Sequence, residues 1–281
     1  MTNSPTEPTQ TEIDAMLFRC RRPGILLNKT LRPDDPGLPG CWLGGRPTLP
    51  PEIEWPVEHE LPMRFLAQID LSQIPPVAFY PEMPRTGTLF FFYEPVFSDY
   101  MNDPAYGHRV IYVDAEVSHH KPREVPPMPE VAREYDEYDE AERREYSRWH
   151  FDLLPYETFA VHWSIPHEVS VHVIRTRMAA IKALKASCED RLTPVSKFSP
   201  HSVFGTCRRD EPQEGRFAYR TGEPFEPADP LKFTNPLVRL LAIFDDFDLR
   251  VGLHTASIGF WISRENLRAR NFEATLLIGD D

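Results

Sequence analysis

The segment His167-Glu168-Val169-Ser170-Val171-His172 sets two imidazoles beside a carboxylate, with His162 just upstream, and these are the residue types of a zinc hydrolase. The helical zinc motif needs its histidines four residues apart, so that they share one face. Here the step is five, which at about 100° per residue leaves the rings about 140° apart on a helix and on opposite faces of a strand. Zinc requires convergent ligands, so no metal site is expected. His119-His120 lies among Lys121, Pro122 and Arg123 and reads as an exposed loop pair. Cys20, Cys41, Cys188 and Cys207 are scattered without CxxC pairing, which reads as free thiols in a reducing compartment. Gly-x-Ser-x-Gly, the phosphate-binding P-loop and Gly-x-Gly-x-x-Gly do not occur, and Gly44-Gly45 lacks the strand-loop-helix setting of a phosphate cradle. No catalytic residue and no cofactor is nominated.

What remains is a polar set at matching places in two similar stretches. Phe65-Leu66-Ala67-Gln68-Ile69-Asp70 and Leu240-Leu241-Ala242-Ile243-Phe244-Asp245 align with Leu66 on Leu241, Ala67 on Ala242 and Asp70 on Asp245. Ala256 to Ile262 likewise sits where Gly87 to Tyr93 sits, so an internal duplication is inferred. If the copies pair about a pseudo-twofold axis, Gln68, Asp70, His201 and Asp245 are the candidate ligand-binding residues of a cleft between them. With Asp246 and Asp248 the carboxylates would suit a hard cation or acid-base work, although an Asp ending a strand more often caps the next turn.

The elements that must position these residues are read from apolar spacing. A short helix is expected over Ile13 to Cys20, then a proline- and glycine-rich loop through Gly44-Gly45-Arg46-Pro47 and Trp55-Pro56, pinned by its Trp and Leu side chains. Strands follow at Phe65 to Leu71, Leu89 to Tyr93, Val110 to Val113 and Thr158 to Ile165. Val131, Tyr135, Tyr138, Glu142, Tyr146 and Trp149 recur at helical steps, predicting an aromatic stripe on a charged helix over 130–149. Tyr135, Tyr138, Tyr146 and Trp149 are the candidate partner-binding residues, since Tyr and Trp are favoured interface anchors. A second helix is expected over Ser170 to Cys188, and a loop over Arg208 to Pro230.

The expected fold class is α+β: two duplicated strand-rich halves in one merged domain over 15–281, with flanking helices, a flexible tail at 1–14 and a charged helical insert at about 126–195. The 41% hydrophobic fraction supports a packed core. Thirty prolines disfavour long helices and central strands. A formal charge of -12 argues against nucleic acid and anionic membrane surfaces, and no apolar run is long enough to span a bilayer. The polar opening residues lack the basic-then-apolar order of a signal peptide, so the cytoplasm is the expected compartment.

The order Gly44-Gly45-Arg46-Pro47, Leu49-Pro50, Trp55-Pro56, Phe65 to Leu71 and Gly87 to Phe92 resembles the YwqG-like family. His201-Ser202-Val203-Phe204-Gly205 resembles that family's His-x-Leu-Leu-Gly element, and Phe260-Trp261-Ile262 with Glu265, Leu267, Arg270 and Phe272 resembles its closing strand and helix. The likeness covers about 40–95 and 198–278. It implies a bacterial source and a duplicated α+β fold of unknown function, with an immunity role by association with secreted toxins. Two functions are carried forward: a non-enzymatic protein-binding module taking a partner with a basic surface, such as a toxin-neutralising immunity or adaptor protein; or a small-molecule binder or hydrolase working in the cleft between the repeats.

Overall fold

The computed structural model describes residues 9–29, 40–58, 60–76, 81–93, 107–127, 147–159, 175, 179, 202–204, 237–244 and 257–280. Among them the chain is β-dominated and antiparallel, which corrects the α+β expectation. The α-helices with described bounds are α1 (Gln10–Cys20) and the single-turn α2 (Arg264–Arg268). Thr9 opens α1 with a capping box, its backbone N–H and hydroxyl donating to the Glu12 carboxylate while the Glu12 N–H donates back to the hydroxyl. Ser263 caps α2 by accepting from Asn266 N–H. Of the expected helix over 170–188, only Arg175 and Ala179 are described, and both are helical. The expected helix over 130–149 does not reach its last residue, because Trp149 is the first residue of a strand.

Among the described residues ten strands form one sheet. They are β1 (Arg21–Lys29), β2 (Trp42–Leu43), β5 (Arg64–Asp70), β6 (Thr88–Tyr93), β7 (His108–Val113), β8 (Trp149–Phe159), β9 (Ser202–Phe204), β10 (Leu237–Phe244), β11 (Ser257–Ser263) and β12 (Leu276–Asp280). A separate hairpin joins β3 (Val57–Glu58) to β4 (Leu61–Pro62). The order is β12-β11-β10-β9-β1-β8-β2-β5-β6-β7, and each neighbouring pair is antiparallel.

β1 was not foreseen, because Pro23-Gly24 reads as a breaker. The pairing explains why both prolines of the central strands are tolerated. β9 pairs with β1 only from Gly24 to Leu26, so Pro23 lies beyond it. β2 pairs with β8 only at Trp149 and His150, well before Pro155. Each proline therefore sits where a ladder runs on one flank alone among the described residues, the placement a missing N–H allows.

The sheet reads alike from both ends: β7, β6, β5, β2 and β8 on one side correspond to β12, β11, β10, β9 and β1 on the other. β5 carries a bulge at Leu66 against β6, and β10 carries one at Leu240 against β11. A bulge turns two successive residues to one face, and Leu66 with Ala67 and Leu240 with Leu241 all enter the same core. The bulges fix the register, which differs by one from the sequence alignment. Leu66 matches Leu240, Ala67 matches Leu241, Gln68 matches Ala242 and Asp70 matches Phe244, so Asp70 and Asp245 are not equivalent. The alignment of Phe91 with Phe260 is unchanged. Asn28 of β1 faces Asp152 of β8 at the centre of the correspondence.

The main core lies on the concave face, drawing Ile25, Leu27, Phe151 and Leu153 from the centre, and Leu89, Phe91, Ile258 and Phe260 from the wings. Phe91 and Phe260 meet edge to face at 5.2 Å. The sheet curls until β7 meets the turn that leads into β12, where His108 Nε2 lies 2.8 Å from the Thr275 carbonyl and Tyr112 packs on Phe272. On the convex face of the first half, a second core gathers Trp42, Leu49, Trp55, Met63, Phe65, Phe90, Phe92 and Val117 beneath the segment 47–63. Arg123 fastens that cover through Pro50 and Ile53 carbonyls at 3.1 and 2.6 Å, and its N–H donates to Pro47 at 2.8 Å.

Candidate functional site

Chemistry collects at one edge of this second core. Gln68 of β5, Trp42 of β2 and His150 of β8 are aligned across three adjacent strands, and strand alternation puts all three on the convex face. Gln68 is fully buried in a strand that is otherwise apolar there. Its carbonyl oxygen accepts from the Thr48 N–H at 2.9 Å and from the Thr48 hydroxyl at 3.1 Å. A backbone N–H can only donate, so this contact fixes the amide's orientation and makes Nε2 the end that does not meet Thr48. Nε2 is buried and has no partner among the described residues.

Trp42 repeats the pattern. Its ring is 4% exposed, and the indole N–H is buried with no acceptor among the described residues. The His150 ring stands against it edge to face at 5.8 Å, and the Arg148 guanidinium lies over it at 5.2 Å. Arg148 is half-buried, with its Nε covered and unbonded among the described residues. Gly45, in the left-handed region at φ 64°, passes so close that a Cβ there would lie 2.7 Å from Arg148 Cβ. Glycine is thus what lets Arg148 lie across Trp42. A buried polar atom without a partner is costly; three N–H groups are in this condition here, a donor set on the paired strands β2 and β5 and on the residue that precedes β8.

The corresponding positions of the second half carry Ala242 for Gln68, Ser202 for Trp42, Leu26 for His150 and Gly24 for Arg148. The scaffold is shared by the two halves, and the Trp, Gln and Arg side chains belong to one.

The sequence-nominated residues fall as follows. Gln68 is in the donor set. Asp70, on the same strand, accepts from Ser72 N–H at 2.9 Å and caps the 3-10 turn Leu71–Gln73, with Gly40 packed against it; it performs the capping role. His201 and Asp245 lie outside the described residues, as do Tyr135, Tyr138 and Tyr146. Trp149 is 7% exposed within the main core, opposite Leu43, so it is not presented on a helix face. His162, His167 and His172 are also outside the described residues. Among those described, no three His, Cys, Asp or Glu side chains cluster to hold a metal. Burial raises the Cys41 thiol to about 12, which makes it a core group and not a nucleophile.

Trp42, Thr48, Arg148 and His150 were missed from sequence. Their convergence depends on β2 pairing with both β5 and the distant β8, and the one local signal was an aromatic residue just before Gly44-Gly45.

No described helix is long and apolar enough to cross a membrane. No match is found among curated proteins. A family profile, that of a domain of unknown function termed DUF1963, matches residues 42–280, from the first residue of β2 to the last of β12. The match takes in every strand but β1 and includes the whole donor set, and the chain belongs to the DUF1963 family.

Proposed function

We propose that the protein is a non-catalytic binding module that takes a ligand bearing acceptor groups at the convex edge of its first half. The observation that carries this reading is the asymmetry of the two halves: buried, unbonded N–H groups at Trp42, Gln68 and Arg148 stand where the other half has Ser202, Ala242 and Gly24. Binding is favoured over hydrolysis because the set consists of donors, with no activated nucleophile beside them among the described residues. The small-molecule reading thereby moves from the cleft between the halves to one half's outer face. Within the family, we infer a YwqG-like chain of bacterial and cytoplasmic origin, on the motif order from Gly44 to Phe92.

The partner-protein reading, including an immunity or adaptor role, keeps support from the charge of -12 and from Tyr135, Tyr138 and Tyr146. It loses Trp149 as an anchor. Native purification followed by mass spectrometry under denaturing conditions separates the two. The ligand reading expects a small molecule retained by the wild type and lost from Trp42→Phe. A stoichiometric protein partner with no small molecule, captured equally by Trp42→Phe, overturns it in favour of the partner reading.

A further inference from the structure

We infer that the group recognised at this site is a carboxylate, paired with the Arg148 guanidinium and hydrogen-bonded by the Gln68 and Trp42 N–H groups. This rests on the binding reading above and names its ligand class. Thr48 occupies the Gln68 oxygen twice over, so the amide offers a ligand its N–H and not its carbonyl. Arg148 supplies the sign of the charge. Acidic residues outnumber basic ones 43 to 31 in this chain, yet among the described residues no carboxylate pairs with Arg148, whose guanidinium lies over the Trp42 ring instead.

A neutral carbonyl would satisfy the two uncharged donors and leave the guanidinium without a counter-charge. A phosphate would bring more negative charge than one guanidinium offsets. A carboxylate has one charge and two acceptor oxygens, matching one cation plus two neutral N–H groups. Arg148 is the least buried of the three, and its shift away from the Trp42 ring admits the ligand. The Arg–Trp contact is weaker than a charge-assisted hydrogen bond, so the exchange favours the bound state.

The test uses the full-length protein and follows the indole N–H resonances of its five tryptophans, with Trp42 assigned by Trp42→Phe. Acetate, acetamide and inorganic phosphate are the probes. The proposal expects a saturable downfield shift of the Trp42 resonance with acetate, none with acetamide, and affinity weakened at least about tenfold in Arg148→Gln, the weight of a charge-assisted bond. Arg148→Lys should retain part of the response, and unchanged positions of the other indole resonances certify the fold of both variants. If acetamide binds as well as acetate, or phosphate alone saturates the shift, the carboxylate class fails while the binding module stands. If no probe moves the resonance and no small molecule is retained on native purification, the donors hold water only and both readings fail.

Discussion

Phe91 and Phe260 occupy the same position in two corresponding strands, and their rings touch at 5.2 Å. His108 of β7 likewise meets Thr275, the residue that precedes β12 at the corresponding register position. A residue that meets its own counterpart lies near the axis relating the halves. The core of this protein is therefore the place where two similar sheets close on each other. Coupling between Phe91 and Phe260 should be measurable as a double-mutant cycle with Leu at each position, read by urea unfolding. We expect an interaction energy of about 0.5–1.5 kcal/mol, as for other aromatic pairs. Additive effects would mean that the wings do not pack as described.

Gln68 and Trp42 give opposite stability predictions. Replacing Gln68 by Leu removes the acceptor of two Thr48 donors and should cost about 1–3 kcal/mol. Replacing Trp42 by Phe deletes an unbonded N–H and keeps an aromatic ring, so stability should stay within about 0.5 kcal/mol of wild type while ligand binding is lost. Chemical denaturation of both variants without ligand checks the pair. A large loss in Trp42→Phe would indicate that the indole N–H already has a structural partner.

Gly45→Ala should act on Arg148. At φ 64°, with a Cβ driven to 2.7 Å from Arg148 Cβ, the substitution strains the backbone by about 1 kcal/mol or more and displaces the guanidinium from Trp42. The expected readout is a shifted Trp42 indole resonance. An unchanged resonance would contradict the role given to this glycine.

Acid stability should depend on Glu82. Burial alone would raise its pKa, but the Arg264 hydrogen bond at 2.8 Å and the charges of Arg264 and Arg268 outweigh it and hold the carboxyl below its ordinary 4.5. A folded-state pKa below the unfolded one contributes stability above the unfolded value and loses it as pH falls through the folded value. The wild type should thus lose stability below about pH 4.5 more steeply than Glu82→Gln, as measured by thermal melts across acid pH. Parallel profiles would show that the tie between this loop and α2 is not electrostatic.

Cys41, fully buried with its thiol pushed up to about 12, should resist alkylation in the native state and react on unfolding. Site-resolved mass spectrometry after iodoacetamide treatment reads this directly. Rapid native labelling at Cys41 would place it at a surface.

Sequence reading found β6 because Leu89 to Tyr93 is an unbroken β-prone run buried on both faces. It missed β1 because Pro23-Gly24 obeys local rules that a one-sided ladder relaxes. It placed Trp149 on a helix because a stripe at helical spacing ends there, whereas pairing with β2 makes that residue the start of a strand. The repeat register slipped by one because matching Leu-Ala letters outweighed a bulge, which no composition reveals. The site was legible only in Gln68, a polar residue inside an apolar strand. Its companions are brought to it by strand neighbours far apart in sequence.

The most direct test is a high-resolution crystal structure of natively purified protein, inspected at the space facing Gln68 Nε2 and Trp42 Nε1. A carboxylate within hydrogen-bond distance of both donors and of Arg148 is the predicted result. Protein carbonyls or water alone satisfying those N–H groups would contradict it.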